Sequence, residues 1–389
     1  MYKIQNLNKI DEEGLKVFPS DQYQIDPNFA DPEAIIVRSF DMLNMEMPSS
    51  LKSIARAGAG YNNIPVEKCT EKGIVVFNTP GANANGVKEL IIAAMLLTSR
   101  DVAGSIEWAK TLKDKGDEIP ALVEKGKNNF AGTEIQGKTL AVIGLGAIGG
   151  LVANAAQALG MNVVGYDAFL SLKAALQLNN KVNVVASLES ALAHADFITL
   201  HIPQNAETKG FINKERIAMM KDGVRILNFA RGGLINAADL KEALESGKVG
   251  KYITDFPDAA VLGMKNAISI PHLGASTAES ETNCAIMAAE QTREYLENGN
   301  IINSVNFPAA EMDRNGGTRI VIANKNVPNM VSQITTVLAS ENVNIANMLN
   351  RNRNEIAYNI IDIDRDDICD SCISKLKAID GVFLIRVIK

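Results

Sequence analysis

The sequence predicts an α/β protein, with β/α units at the N-terminus, a Rossmann-type doubly wound parallel sheet in the middle, and a small ferredoxin-like module at the end. Three patterns carry that expectation. Short β-branched runs closed by turn residues alternate with helical stretches in the first part of the chain. From "TLAVIGLGAIGG" onward this alternation becomes regular. From Arg319 to the C-terminus the order is strand, helix, strand, strand, helix, strand.

Taken in order, "AIIVRS", "LKSIARAG" and "GIVVFNTPG" read as strands. "VKELIIAAMLLTSRDVAGSIEWAKTL" has helical periodicity and the length to bridge two domains. "DKGDEIPALVEKGKNNFAGTEIQGK" is polar and rich in Gly, Lys and Asn, and reads as a surface connection. The middle domain takes its strands from "LAVIGLG", "NVVGYD", "FITLHIP", "VRILNFA" and "AISIPH". "AESETNCAIMAAEQTREYLENGN" is an amphipathic helix that stops at Gly-Asn. "SVNFPAAEMDRNGGT" reads as a linker. "RIVIANKN", "NMVSQITTVLASEN", "VNIANMLNRN", "EIAYNIIDID", "DICDSCISKLKAI" and "VFLIRVI" then fill a βαββαβ order.

A length of 389 residues implies two or three domains, and 47% hydrophobic with 22% charged residues is the balance of a globular chain with a sizeable core. The net charge of −6 gives no reason to expect nucleic acid or a membrane surface as partner, so an anionic substrate must be met by locally placed Arg or Lys. "MYKIQNLNKI" has charge and amides where a secretory leader needs an apolar stretch, and "ELIIAAMLLTSR" is too short to span a bilayer. Cys369 and Cys372 form a lone C-x-x-C with no second pair or nearby His, so no metal site is expected, and a reducing, cytoplasmic setting fits.

Gly144, Gly146 and Gly149 have G-x-G-x-x-G spacing between an apolar strand and the helix "GGLVANAAQALG", and the next strand ends at Asp167. The first glycine permits a tight turn, the second lets backbone approach a pyrophosphate, and the third lets helix pack on strand, with helix N–H groups aimed at phosphate. Asp167 would accept both adenosine ribose hydroxyls and repel a 2′-phosphate, which favours NAD. Three more strand ends carry His201 and Pro203, Arg231, and Asp255, and the C-terminal edge of an open α/β sheet is where ligands bind. Arg231, between Ala230 and Gly232, is suited to grip a carboxylate bidentately. His272, in "PHLGAST", is suited to exchange a proton with a hydroxyl or carbonyl oxygen. The set specifies alcohol–ketone hydride transfer on a carboxylated substrate. His194 sits in an apparent helix and reads as structural.

Together "GLGAIG", "YDAF", "LHIP", "NFARGGLIN", "TDF" and "PHLGAST" resemble the NAD-dependent D-2-hydroxyacid dehydrogenases, and "VRS", "RAGAGYNNI" and "NTPGANANGVKEL" extend the likeness to the N-terminal part. The end of the chain resembles an ACT domain. The resemblance implies a discontinuous, flavodoxin-like substrate domain (1–95 and 285–312), an NAD domain (96–284), an ACT domain (317–389) and a homo-oligomer, a dimer or tetramer. It implies that Arg231 anchors the carboxylate and His272 is the general acid/base, with Asp255 and Gly274 at the nicotinamide end. Gly144, Gly146, Ala147, Ile148 and Gly149 would cradle the pyrophosphate, with His201, Pro203 and Ala230 lining the cofactor cleft. Ala147 stands where the family often has Arg. Arg38, Arg56 and Gly58 match substrate-pocket positions, and two guanidiniums suit a phosphate dianion, which points to the branch acting on 3-phosphoglycerate and 3-phosphohydroxypyruvate. Lys88 is a further candidate there. Rivals are another 2-hydroxyacid, such as glyoxylate or hydroxypyruvate, and a non-catalytic NADH sensor, which would not need both Arg231 and His272.

Asn324, Asn326 and Asn344 carry the likeness to serine-sensing ACT domains, which pair edge to edge across subunits and bind L-serine at the join. Amide side chains can hold both the carboxylate and the ammonium of an amino acid. The family's histidine is usually paired with a Glu five residues beyond the aspartate matching Asp255. Here that position is Ala260, which leaves Asp258 as the only other carboxylate before His272.

Overall fold

The computed structural model describes residues 1–314 and 317–389. Asn315 and Gly316, within the expected linker, lie outside the described residues. Two compact units are present: Met1–Asn83 with Glu281–Lys389, and Ala84–Ser280. The first division falls at the start of helix Ala84–Ser99, rather than at residue 95 as expected, and the second at residue 281 rather than 285.

The N-terminal sheet of the first unit has five parallel strands: β1 (Tyr2–Leu7), β2 (Tyr23–Ile25), β3 (Ala34–Val37), β4 (Ser53–Arg56) and β5 (Val75–Phe77), in the order β2-β1-β3-β4-β5. β3 and β5 are buried along their whole length, as strands covered on both faces must be. β1 escapes the sequence reading because Lys3, Gln5 and Asn6 interrupt its apolar residues, yet Ile4 is wholly buried and pairs with Ala34.

The second unit holds seven parallel strands. They are β6 (Thr139–Ile143), β7 (Asn162–Tyr166), β8 (Asn183–Val184), β9 (Phe197–Leu200), β10 (Val224–Asn228), β11 (Val249–Thr254) and β12 (Ala267–Ser269). Their order β12-β11-β10-β9-β6-β7-β8 is doubly wound, and the winding reverses between β6 and β9. The expected continuous helix from Val87 instead breaks after Ser99. Asp101 caps a second helix, Val102–Lys110, by accepting the Gly104 N–H, and also pairs with Lys251 at 2.9 Å. The stretch read as a surface connection contains helix Ile119–Gly126, with Pro120 in its first turn. It is held by Trp108, whose ring lies against Gly126 and 5.3 Å from the Phe130 ring.

The C-terminal module belongs to the first unit. β13 (Thr318–Lys325), β14 (Ile345–Arg353), β15 (Ile356–Ile363) and β16 (Val382–Ile388) form an antiparallel sheet ordered β14-β15-β13-β16, the ferredoxin-like arrangement expected. Helices Met330–Ser340 and Asp370–Lys377 cover one face through Ile334, Leu338, Cys372 and Leu376, which pack on Ile320 and Ile322. On the opposite face Val321, Ala323, Tyr358 and Ile360 share a core with Phe77, Tyr295, Leu296 and Phe307. Arg319 is wholly buried at this seam. It pairs with Asp362 through Nε–Oδ1 at 2.6 Å and Nη2–Oδ2 at 2.9 Å, and donates to the carbonyls of Asn298, Met312 and Asp313. The Tyr358 hydroxyl donates to the Gly299 carbonyl at 2.7 Å. Cys372 is in the core while Cys369 is exposed, and no His/Cys/Asp/Glu cluster that could hold a metal occurs among the described residues.

Candidate active site

In the second unit, the turn after β6 is built around backbone that side chains would obstruct. Gly144 has φ +94°, and a Cβ there would lie 2.6 Å from the His201 carbonyl oxygen. A Cβ on Gly149 would lie 1.9 Å from the Gly144 oxygen, whereas Gly146, which caps helix Ala147–Ala158, faces open space. The helix therefore begins with exposed Gly146 and Ala147 and a half-buried Ile148, its first N–H groups lacking partners within the helix. Asp167, just after β7, accepts the Leu145 N–H at 2.7 Å and the Phe169 N–H at 2.8 Å, locking the turn from its far side. Its carboxylate retains lone pairs for two ribose hydroxyls. A dinucleotide fits this cradle, and Ala147 takes nothing from its backbone.

His201 forms one wall. Its N–H donates to the Ile143 carbonyl at 2.7 Å, and its Nε2 lies 3.0 Å from the Thr199 hydroxyl. Burial pushes its pKa down to about 3, so the ring is neutral at ordinary pH. Pro203 is exposed, and its carbonyl accepts the Thr208 hydroxyl at 2.7 Å.

At the ends of β10, β11 and β12 the expected chemistry comes together. Asn228, wholly buried, donates to the Arg231 carbonyl at 2.9 Å and accepts the Ala230 N–H at 3.3 Å, shaping the turn that leaves Arg231 exposed. The Arg231 guanidinium donates to the Ala230 carbonyl at 2.7 Å and sits 5.6 Å from the Phe256 ring centre. That ring lies 4.4 Å from the His272 ring, so Phe256 is the common neighbour of both groups. Asp255 is buried. Its Oδ2 accepts the Gly274 N–H at 3.3 Å, and its Oδ1 has no hydrogen-bond partner among the described residues. Burial pushes its pKa up, against the pull of His272 and Arg231. An orphaned buried acceptor is costly, and the amide N–H of a nicotinamide carboxamide would satisfy it.

Asp258 sits in the turn that follows β11. Its Oδ1 accepts the N–H groups of Ala260 at 3.0 Å and Val261 at 2.9 Å, which commits it to an exposed turn. Among the described residues no hydrogen bond reaches the His272 ring, and its ring neighbour is Phe256. Lys88 binds Asn85 at 2.5 Å on its own helix and lies 3.9 Å from Glu89. Sequence reasoning gave no role to Asn228 or Phe256. The signals were present in "NFARGG" and "TDF", beside the residues it did choose.

In the first unit, Arg38 and Arg56 follow and close adjacent strands. Arg56 Nε donates to the Arg38 carbonyl at 3.1 Å. Gly58 has φ +154°, and a Cβ there would lie 2.2 Å from Arg56 Nη1, so glycine makes room for the guanidinium. Arg38 Nη1 pairs with Glu281 Oε2 at 2.8 Å.

In the C-terminal module Asn324 and Asn326 line a cavity of about 320 Å³ together with Asn329, Met330, Asn350 and Ala357. Asn324 Oδ1 accepts from Asn359 at 2.8 Å, and Asn359 Oδ1 accepts from Asn350 at 2.7 Å, making an amide ladder across three strands. Asn344 is not part of it. Its amide binds Asp364 instead. Asn350 and Asn359 were missed because cross-strand register, not spacing, brings them opposite each other.

Residues 92–274 match the model of the D-isomer specific 2-hydroxyacid dehydrogenase NAD binding domain. A D-3-phosphoglycerate dehydrogenase of Haemophilus influenzae is 32% identical over 376 residues, covering 92% of this chain and 87% of that protein. One from Archaeoglobus fulgidus is 37% identical over 292 residues, 72% of this chain and 52% of its own length. The chain thus spans about half the length of several curated relatives it matches. Among solved structures, the NAD+-bound 3-phosphoglycerate dehydrogenase of Entamoeba histolytica superposes with a TM-score of 0.60 at 28% identity, covering 78% of this chain and 98% of that one.

Proposed function

The chain belongs to the D-isomer specific 2-hydroxyacid dehydrogenase family, and from that premise we propose that it interconverts 3-phosphoglycerate and 3-phosphohydroxypyruvate with NAD, the step that opens the phosphorylated route to serine. The observation that carries this reading is the grouping of Arg231, Phe256, His272 and the half-unsatisfied Asp255 at one edge of a doubly wound sheet. Arg231 is exposed, and its planar fork matches the substrate carboxylate, fixing C2 in position. His272, held against Phe256, takes the C2 hydroxyl proton in the oxidative direction and returns it to the carbonyl oxygen in the reductive one. Asp255 accepts the carboxamide N–H through Oδ1 and keeps negative charge near the protonated histidine. A bound nicotinamide supplies the carbon that accepts or returns the hydride. In the first unit, Arg38 and Arg56 are the cation pair assigned to the phosphate.

The test is kcat/KM for NADH oxidation with 3-phosphohydroxypyruvate against hydroxypyruvate and 2-oxoglutarate. A preference for the phosphorylated substrate is expected, and equal values would remove the phosphate assignment. We further assign L-serine to the cavity lined by Asn324, Asn326 and Asn350, in a cytoplasmic homo-oligomer, dimer or tetramer, paired through its C-terminal modules. Millimolar serine should inhibit the enzyme and raise its Tm. No response in either would withdraw the effector.

A further inference from the structure

Resting on the reading of Arg38 as a phosphate ligand, we propose that Glu281 is a counter-ion that tunes affinity for anionic substrate tails, a carboxylate that occupies Arg38 until a substrate phosphate displaces it. Glu281 lies in the first turn of helix Ala278–Asn298, where the helix dipole favours a carboxylate, and its Oε2 is 2.8 Å from Arg38 Nη1. Both side chains are partly exposed, 38% and 45%, so the pair is open to exchange rather than sealed. The helix start is anchored by Thr282, whose hydroxyl donates to Asp11 at 3.0 Å. Three residues beyond Glu281, on the same helix face, Cys284 is buried. Burial pushes its thiol up, while a hydrogen bond with Thr79 and the Arg38 and Arg56 charges pull it back. Arg56, in turn, rests on the Arg38 carbonyl.

Two cations and one carboxylate therefore share a small volume. A phosphate dianion brings twice the charge of Glu281 and more oxygens than one carboxylate, so it wins the exchange. A substrate whose tail carries a single carboxylate competes with Glu281 on equal terms, and an uncharged tail does not compete at all. Glu281 thus costs every anionic tail some affinity, but leaves the dianion ahead.

Steady-state kinetics of Glu281→Gln against three substrates test this. Because a partly exposed ion pair is worth little, KM for 3-phosphohydroxypyruvate should fall roughly threefold to fivefold. KM for 2-oxoglutarate should fall as well, with hydroxypyruvate unchanged and kcat unaltered throughout. Inorganic phosphate should inhibit the variant more strongly than the parent. Equal change for all three substrates, or a rise in KM for the phosphorylated one, would overturn the proposal. Glu281→Asp, which keeps the charge on a shorter arm, should give a smaller shift in the same direction, and covers the case in which Glu281→Gln folds poorly. Arg38→Ala separates the two levels of inference. If it leaves the preference for the phosphorylated substrate intact, the phosphate assignment falls and takes this proposal with it. If it abolishes the preference while Glu281→Gln changes nothing, only the role of Glu281 is lost.

Discussion

Arg231 in the Ala84–Ser280 unit and Arg319 in the C-terminal module set the same side chain in opposite surroundings. Arg231 is exposed, with its own Ala230 carbonyl and the Phe256 ring as neighbours. Arg319 is wholly buried and is saturated by Asp362 and three backbone carbonyls. A guanidinium has five N–H donors. Where the fold fills them, the side chain holds structure together. Where the fold leaves them exposed at a strand end, they are available to a ligand.

The sharpest way to break this contrast is at Arg319. Arg319→Ala leaves Asp362 buried without its partner and should cost about 3–5 kcal/mol of stability by chemical denaturation. The kcat/KM of the molecules that remain folded should be unchanged. Replacing both partners, with Arg319→Met and Asp362→Leu, should recover the part due to the unpaired carboxylate, while the carbonyls of Asn298, Met312 and Asp313 still lose their donor. If the single and double variants were equally damaged, the pair would not be the source of the cost. At Arg231 the expectation reverses. Arg231→Ala should lower kcat/KM by about 10²–10³-fold, the worth of a charge-assisted bidentate contact, with Tm unmoved. A large fall in Tm would place Arg231 with Arg319.

A third expectation concerns His201. In the unfolded chain it titrates near 6.5, but burial keeps it neutral in the folded protein until about pH 3. Between those values the unfolded state binds more protons, so the stabilisation is complete above pH 6.5 and is lost as pH falls. From pH 6.5 to 5 the loss should be roughly 2 kcal/mol, and His201→Asn should flatten that part of a Tm-against-pH curve. An unchanged slope would assign acid sensitivity elsewhere. The smallest effect is expected from Asp258→Asn, since asparagine also accepts the turn hydrogen bonds. The kcat/KM should change less than about twofold, and the histidine limb of the pH profile should stay in place. A downward shift of that limb would restore Asp258 as the partner of His272.

The glycine turn was legible in the sequence because its geometry leaves no alternative. Cβ atoms at Gly144 and Gly149 collide with backbone, so the residue type itself records the constraint. The ends of β9, β10 and β11 were legible because these parallel strands are buried in their C-terminal halves, and the polar or charged residues that follow stand out. What escaped depends on pairing across distance. Arg319 and Asp362 are 43 residues apart, and nothing local marks either as buried. Asn350 meets Asn359 only through strand register. Asp258 and Asp255 look alike in sequence. Only burial separates the turn residue from the one beside His272. Helix Ile119–Gly126 was hidden because Trp108, which packs on its Gly126, comes from a separate helix.

The seam behind β13 has a consequence for how this protein can be rebuilt. Val321, Tyr358 and Ile360 share one core with Phe77, Tyr295 and Phe307, so the last seventy or so residues are not a cassette. Cutting the chain before Thr318 would leave an apolar wound on the portion that remains, and a transplanted module would carry the matching wound with it. Grafting a different module onto this chain therefore requires the recipient surface around Phe307 and Tyr295 to be redesigned together with the graft.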